Sequence, residues 1–356
     1  MGKQAVKDRR RFGWLCSYTP IEILMAAGFV PTRLDAGELP SPKPNPHIYQ
    51  LLCPYVRSVF DGAQKNHFGP LQGVVFMKCC DAMFRLYDLW QAHLKDMSSY
   101  VLPLPKVRSN ASVTYFSKTL RRFADRLAND TGTSISDSSL GKAIAELNRL
   151  REAVQELYKV RQANPQSLAY SKLRLLIREW LSMDPVRALK GVEEALEELK
   201  RSRSVSSHME ANVLISSSTL DQIGLIRLIE DAGITVADDD LCTGYRHFDT
   251  RVSEDGDPYL NLANRYLKRW PCARMHGDPS HLQRLTQEID AVHAKGVIYV
   301  GLKYCDQPSF DFPRLQAQLS ECHIPVLYIE NDYTESGFGQ LRVRIEAFAE
   351  MLREEV

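Results

Sequence analysis

The 356-residue chain has no apolar run approaching the roughly 18–20 residues that a bilayer-crossing helix requires. No helical membrane span is expected. Charge of one sign is equally lacking: 45 basic residues meet 44 acidic ones, a formal charge of +1, so no long-range field recruits nucleic acid or an anionic membrane. Any binding site has to be local. The eight cysteines form none of the C-x2-C pairs usual in structural zinc sites, and they are too dispersed for a small disulfide scaffold. After the basic start "MGKQAVKDRRRFGWLCSYTP", Thr19-Pro20 and Glu22 interrupt what would have to be an apolar signal core, and Val6 stands where a myristoylation motif wants Ser or Thr. The expectation is a cytoplasmic protein whose cysteines are free thiols or metal ligands.

What is present is a soluble-protein composition, 44% apolar and 25% charged, on a chain long enough for two or three cores. Short β-rich runs ("WLCSY", "FVPTRL", "GVVFM", "YVLPLP") alternate with helical stretches near 21–27, 48–63, 83–93 and 115–129. The pattern predicts a parallel sheet covered on both faces. Residues 134–204 differ: Ile144, Leu147, Leu150, Val154, Leu157 and Val160 fall at the spacing of one helical face, and Asp184-Pro185 opens a further helix. No chemistry is visible there. Alternation resumes with "ANVLIS", "GITVADDD", "GVIYVGLKY" and "PVLYIEND", ending in a helix over 340–352. The reading is an α/β chain with an N-terminal α/β domain (1–133), a helical subdomain (134–204) and a C-terminal α/β domain (205–356). Its two parallel-sheet domains are Rossmann- or flavodoxin-like and are candidates for a structural repeat, without direct sequence identity.

In open α/β sheets, ligands bind at the carboxyl ends of the strands. Cys16 ends the first predicted strand, Cys80 follows "GVVFM" and Cys305 follows "GVIYVGLKY". Cys53 precedes Pro54 in "LLCPYVRSVFDGA", which places its thiol at a helix N-terminus, where amides and the positive dipole end favour a thiolate or an anionic cluster. Thiolates from scattered loops can hold an iron–sulfur cluster. Spacing alone leaves that reading beside the plainer one of buried packing cysteines.

Other candidates have competing plain readings. Asp238, Asp239 and Asp240 end a strand, where they would bind a hard cation, cap the next helix or face water. Arg246 and His247 in "GYRHF" would share that edge, with His247 as an acid/base or an ordinary loop residue. Gly337 and Gly339 precede the last helix, whose amides would meet an anion, but the third glycine of a dinucleotide fingerprint is missing. Arg342, Arg344 and Glu346 read as an ion-pair face or a substrate contact. Asp81 and Arg85 neighbour Cys80 as supporting residues.

Six blocks, "CSYTPIEILMAAGFVPTRL", "LLCPYVRSVFDGA", "GVVFMKCCDAMFRLYDLW", "DDDLCTGYRHF", "GLKYCDQPSFDFPRLQAQL" and "IENDYTESGFGQLRVRIEAFAEML", occur in the order in which similar blocks occur in the 2-hydroxyacyl-CoA dehydratase D-component and benzoyl-CoA reductase family, which the sequence resembles from about residue 11 to its end. The resemblance implies an oxygen-sensitive enzyme subunit that holds a [4Fe-4S] cluster, paired with a homologous subunit in a heterodimer. It also implies an ATP-hydrolysing iron–sulfur activator that injects a low-potential electron, and an acyl-CoA thioester that receives it. In dehydratases of the family a ketyl radical anion then loses hydroxide; in benzoyl-CoA reductases the ring is reduced.

By the same resemblance, Cys16, Cys53 and Cys80 are the expected ligands, Cys305 is an alternate or fourth, and Cys79 is a packing or outer thiol. Cys242, Cys272 and Cys305 form a second trio. On that ground the chain also resembles family members that hold a double-cubane [8Fe-9S] cluster and reduce small molecules. A subunit that only relays the electron is a third reading.

Overall fold

A computed structural model describes residues 10–354 except 38, 40–44, 202–210 and 276–279. The N-terminal basic residues, much of the proline-rich loop and the 204/205 boundary lie outside the described residues. Strands β1 (Arg11–Trp14), β2 (Val30–Arg33), β3 (Gly73–Lys78) and β4 (Ser98–Pro103) form one parallel sheet in the order β2-β1-β3-β4. Strands β5 (Asn212–Ser217), β6 (Thr235–Asp240), β7 (Gly296–Leu302) and β8 (Val326–Asn331) form a second, β6-β5-β7-β8, also parallel. The two halves therefore repeat one topology. In each, the strand order reverses between its first and third strands, and the crevice beyond their carboxyl ends is where such sheets take ligands.

The central strands are buried on both faces, which is why they read as near-continuous apolar runs. Gly73 is one position where the pairing excludes a side chain. A Cβ there would meet the Phe12 ring at 2.5 Å and the Ser98 carbonyl at 2.6 Å, and Phe12 is its partner in β1.

The helical middle is woven between the sheets. Its longest helix, Asp137–Ala163, starts at a capping box in which Ser136 and Ser139 exchange bonds, satisfying orphan N–H groups of the first turn. Its apolar face joins Trp14 and Ile21 from the first half to the interior strands of the second sheet in one core. A second core joins the first sheet to Tyr259, Leu262, Tyr266, Cys272, Leu302 and Cys305. The halves are thus fused through shared apolar packing, the dominant favourable term in folding. Arg33 adds an ion pair to Asp221 at 3.2 Å across the same boundary.

Polar side chains of this helical segment anchor the acidic run. Tyr158 donates to Asp239 at 2.6 Å and Gln162 to Asp238 at 2.6 Å, while Arg161 donates to the carbonyl of Ala237 at 2.7 Å. Asp238, Asp239 and Asp240 are fully buried rather than facing water. Among the described residues no helix is long and apolar enough to cross a membrane.

Candidate iron–sulfur site

Three cysteines are the N-cap residues of three helices. Cys53 precedes Pro54–Gln64, with Pro54 in the first turn; Cys80 precedes Asp81–His93; Cys305 precedes Asp306–Glu321. No side chain caps these helices, so each leaves N–H groups and a positive dipole end beside its thiol. The sequence explains all three starts: Pro54 is preorganised for a first turn, and Asp81 and Asp306 complement the dipoles of their helices. Together Cys53, Cys80 and Cys305 line one pocket with Tyr55, Met83, Arg274 and Tyr304.

Cys16 follows β1 and Cys79 follows β3, so they flank the point where the first sheet reverses its order. Cys305 follows β7 at the equivalent point of the second sheet. Seven thiols form one network. Cys79 neighbours both Cys16 and Cys80, Cys53 neighbours Cys305, and Cys242 neighbours Cys272, each near enough to act on the other's acidity. The fields of Cys272 on Cys16, and of Cys80 on both Cys53 and Cys305, tie the two halves of the network together. The exposed Cys322 stands apart.

Neighbouring thiols shift in opposite directions. The neighbouring thiols, reinforced by burial, push Cys53, Cys79 and Cys242 up. Cys80 is pulled down to about 5 by its neighbour Cys79, against burial and with help from Arg274. Cys16, Cys272 and Cys305 are lowered beside Cys79, Cys242 and Cys53; burial opposes each shift and Arg274 assists all three. Thiolates are the form that binds metal.

Guanidinium groups surround the sulfurs. Arg274 Nη2 lies 3.3 Å from Cys305 Sγ, and Arg246 Nη1 lies 3.9 Å from Cys242 Sγ. Arg269 stacks over Tyr18, whose hydroxyl accepts the backbone N–H of Cys272. The Nε atoms of Arg246, Arg269 and Arg274 are buried without a hydrogen-bond acceptor. Buried donors on permanent cations call for negative charge close by.

Among the described residues, no three His, Cys, Asp or Glu side chains surround a position for one metal ion. A polynuclear cluster asks for something else, because each thiolate binds a different iron and the ligands stand apart. Buried thiols from both sheets, helix N-termini and unpaired guanidinium donors are the donor chemistry that such an anionic cluster suits.

The other sequence candidates fall elsewhere. His247 is buried, stacked on Trp14 at 5.3 Å, and held neutral by burial and by Arg265 and Arg269; it does not line the thiol pocket. Arg246 pairs with Asp240 at 2.6 Å, and Asp240 also meets His281 at 2.8 Å. Asp81 borders the pocket but is 71% exposed and pairs with Arg85 along its own helix. Gly337 and Gly339 face open space, and Arg344 bonds the Tyr328 carbonyl. Sequence reasoning passed over Arg274, although it stands two residues after Cys272, as well as Tyr304 and His281. Tyr304 adopts φ +58°, a strained choice for an aromatic residue, directly before Cys305.

The sequence profile of the 2-hydroxyglutaryl-CoA dehydratase D-component family matches residues 16–352. The chain is 22% identical over 348 residues to the (R)-phenyllactyl-CoA dehydratase beta subunit of Clostridium sporogenes, covering 97% of this chain and 92% of that one. It is 25% identical over 367 residues to a benzoyl-CoA reductase subunit of Thauera aromatica, covering 99% and 93%. To the (R)-2-hydroxyglutaryl-CoA dehydratase beta subunit of Acidaminococcus fermentans it is 24% identical over 363 residues, covering 99% and 95%.

Proposed function

The chain belongs to the 2-hydroxyglutaryl-CoA dehydratase D-component family, and from that premise we propose that it is the iron–sulfur subunit of an enzyme of the acyl-CoA dehydratase or benzoyl-CoA reductase type. Its relatives are named as subunits of such enzymes. The convergence of Cys53, Cys80 and Cys305 on one pocket at three helix N-termini carries the reading. These three, with Cys16, would hold a [4Fe-4S] cluster, which when bound supplies a low-potential electron to an acyl-CoA thioester.

The protein's own part is positioning and electrostatics. The helix ends and Arg274 stabilise negative charge on the sulfurs, and Lys106 reaches the carbonyl of Cys79 to fix the turn after β3. Tyr55, Met83 and Leu302 supply an apolar wall that keeps water from the thiols. A homologous second subunit and an ATP-hydrolysing activator complete this reading, in a heterodimer, with Asp81, Tyr304 and Gln307 on the rim of the pocket.

One observation favours a second reading. Cys242 and Cys272 belong to the same thiol network as Cys16, giving two trios where one cubane uses about three or four thiolates. That is the arrangement expected of a double-cubane reductase of small molecules. Iron and acid-labile sulfide measured per chain after anaerobic purification distinguish the two. About four irons is the outcome for the single cluster and about eight for the double; a folded chain that takes up no iron under reconstitution rejects both.

A further inference from the structure

Four sulfurs, Cys16, Cys80, Cys272 and Cys305, come from both halves of the chain and lie in the field of one buried cation, Arg274. Its Nη2 is 3.3 Å from Cys305 Sγ, its Nη1 is 3.3 Å from Ser218 Oγ, and its Nε has no acceptor. Among the described residues, the neighbours that act on it most strongly are sulfurs, Cys305, Cys80, Cys79 and Cys272, and no ion pair joins it to a carboxylate. Arg246 differs, being already matched by Asp240 at 2.6 Å. A guanidinium cannot shed its proton to escape burial, so its charge is a fixed part of the pocket.

Fixed positive charge acts differently on the two oxidation states of a metal–sulfur group. One-electron reduction adds one negative charge, makes and breaks no bond in the chain, and leaves the guanidinium protonated. A nearby cation therefore favours the reduced state, and net charge and hydrogen bonds to sulfur are among the features that set such potentials. Resting on the iron–sulfur reading above, we propose that Arg274 is the positioning residue that sets the reduction potential of the thiolate-held group, holding it higher than a neutral residue would. Ser218 orients the guanidinium by accepting from Nη1 while Nη2 faces Cys305.

The test uses the full chain, reconstituted anaerobically, as wild type, Arg274→Gln and Arg274→Lys. Iron and sulfide are determined on each, and the midpoint potential is read by electron paramagnetic resonance during titration with a europium(II) chelate as reductant. The expected result is a more negative potential for Arg274→Gln at equal iron content, with Arg274→Lys close to wild type. An unchanged potential in Arg274→Gln, or a lysine variant displaced as far as the glutamine one, overturns the proposal and leaves the iron–sulfur reading intact. A wild type that binds no iron overturns both. Where Arg274→Gln folds but stays iron-free, a lysine variant that loads at the wild-type potential supports a charge role, and two iron-free variants overturn it.

Discussion

Arg151 Nη2 lies 2.5 Å from Glu22 Oε1, with both side chains closed to solvent at 2% and 0% exposure. Tyr266 donates to the other oxygen of Glu22 at 2.8 Å, so one carboxylate joins the helices Ile21–Ala26, Asp137–Ala163 and Pro258–Lys268. Burial alone would raise the pKa of Glu22; Arg151 and Arg265 more than reverse this, and the net shift is downward. A depressed folded-state pKa contributes stability that is complete above the unfolded value of about 4.3 and is lost as pH falls through the folded value. Arg151→Ala strands the carboxylate and is expected to cost about 3–5 kcal/mol in urea unfolding at pH 7. A loss under about 1 kcal/mol would mean that the pair does not hold these helices together.

The thiol network predicts an uneven serine series. Cys80→Ser and Cys305→Ser should lose most bound iron, and Cys322→Ser should lose none, since Cys322 is exposed and sits at the C-terminal end of the helix that Cys305 begins. Cys272→Ser decides between one cluster and two: unchanged iron fits the single cubane, and a loss of about half fits the double. Retention of full iron by Cys80→Ser would contradict the ligand set.

His281 sits between Asp240 at 2.8 Å and Asp311 at 3.4 Å, with its ring tilted against that of Trp270 at 6.5 Å and near the repelling Arg246. Burial works against its charge, but the two carboxylates prevail and raise its pKa to about 9. With the folded value above the unfolded 6.5, its stabilisation is complete below about pH 6.5 and disappears as pH rises through about 9. His281→Gln should therefore trail wild type by on the order of 3 kcal/mol at pH 6, with the gap narrowing by pH 9.5. Unfolding curves that differ equally at both pH values would remove the histidinium from the account.

Gly244 abuts the same acidic run. A Cβ there would fall 1.9 Å from Asp239 Oδ1, an oxygen already held by the N–H groups of Tyr245 at 2.9 Å and Leu241 at 3.2 Å. Gly244→Ala should cost about 1–3 kcal/mol in thermal or urea unfolding, as overpacking does. An alanine variant as stable as wild type would show that the Asp239 turn can shift.

Most strands and helices were legible because their signals are local. "GVVFM" is a doubly buried strand, and the helix expected over 48–63 begins only at Pro54, as Pro54–Gln64, where the proline sets its first turn. Cys53, Cys80 and Cys305 could be placed at strand or helix ends by the same rules. That Cys242 and Cys272 join them came only from the family resemblance, because strand and helix rules say nothing of how two sheets pack. Arg274, Tyr158 and Arg161 were opaque for a related reason: each is an ordinary polar residue in its own segment and acquires its role from a partner far away in sequence. Of the readings open for the acidic run, the one facing water misled, since three adjacent carboxylates look solvated until Tyr158, Gln162, Arg246 and His281 are seen around them.

The thiols that share the pocket are separated by most of the chain, with Cys53 and Cys80 in its first quarter and Cys305 near its end. During synthesis the first sheet is complete long before β7 leaves the ribosome. The early cysteines must then wait, reduced and without their partners from the later half, until the second sheet has formed and docked. Assembly of the site is a late event in the life of the chain, and the period of greatest exposure to oxidation comes before it, when half a pocket already exists.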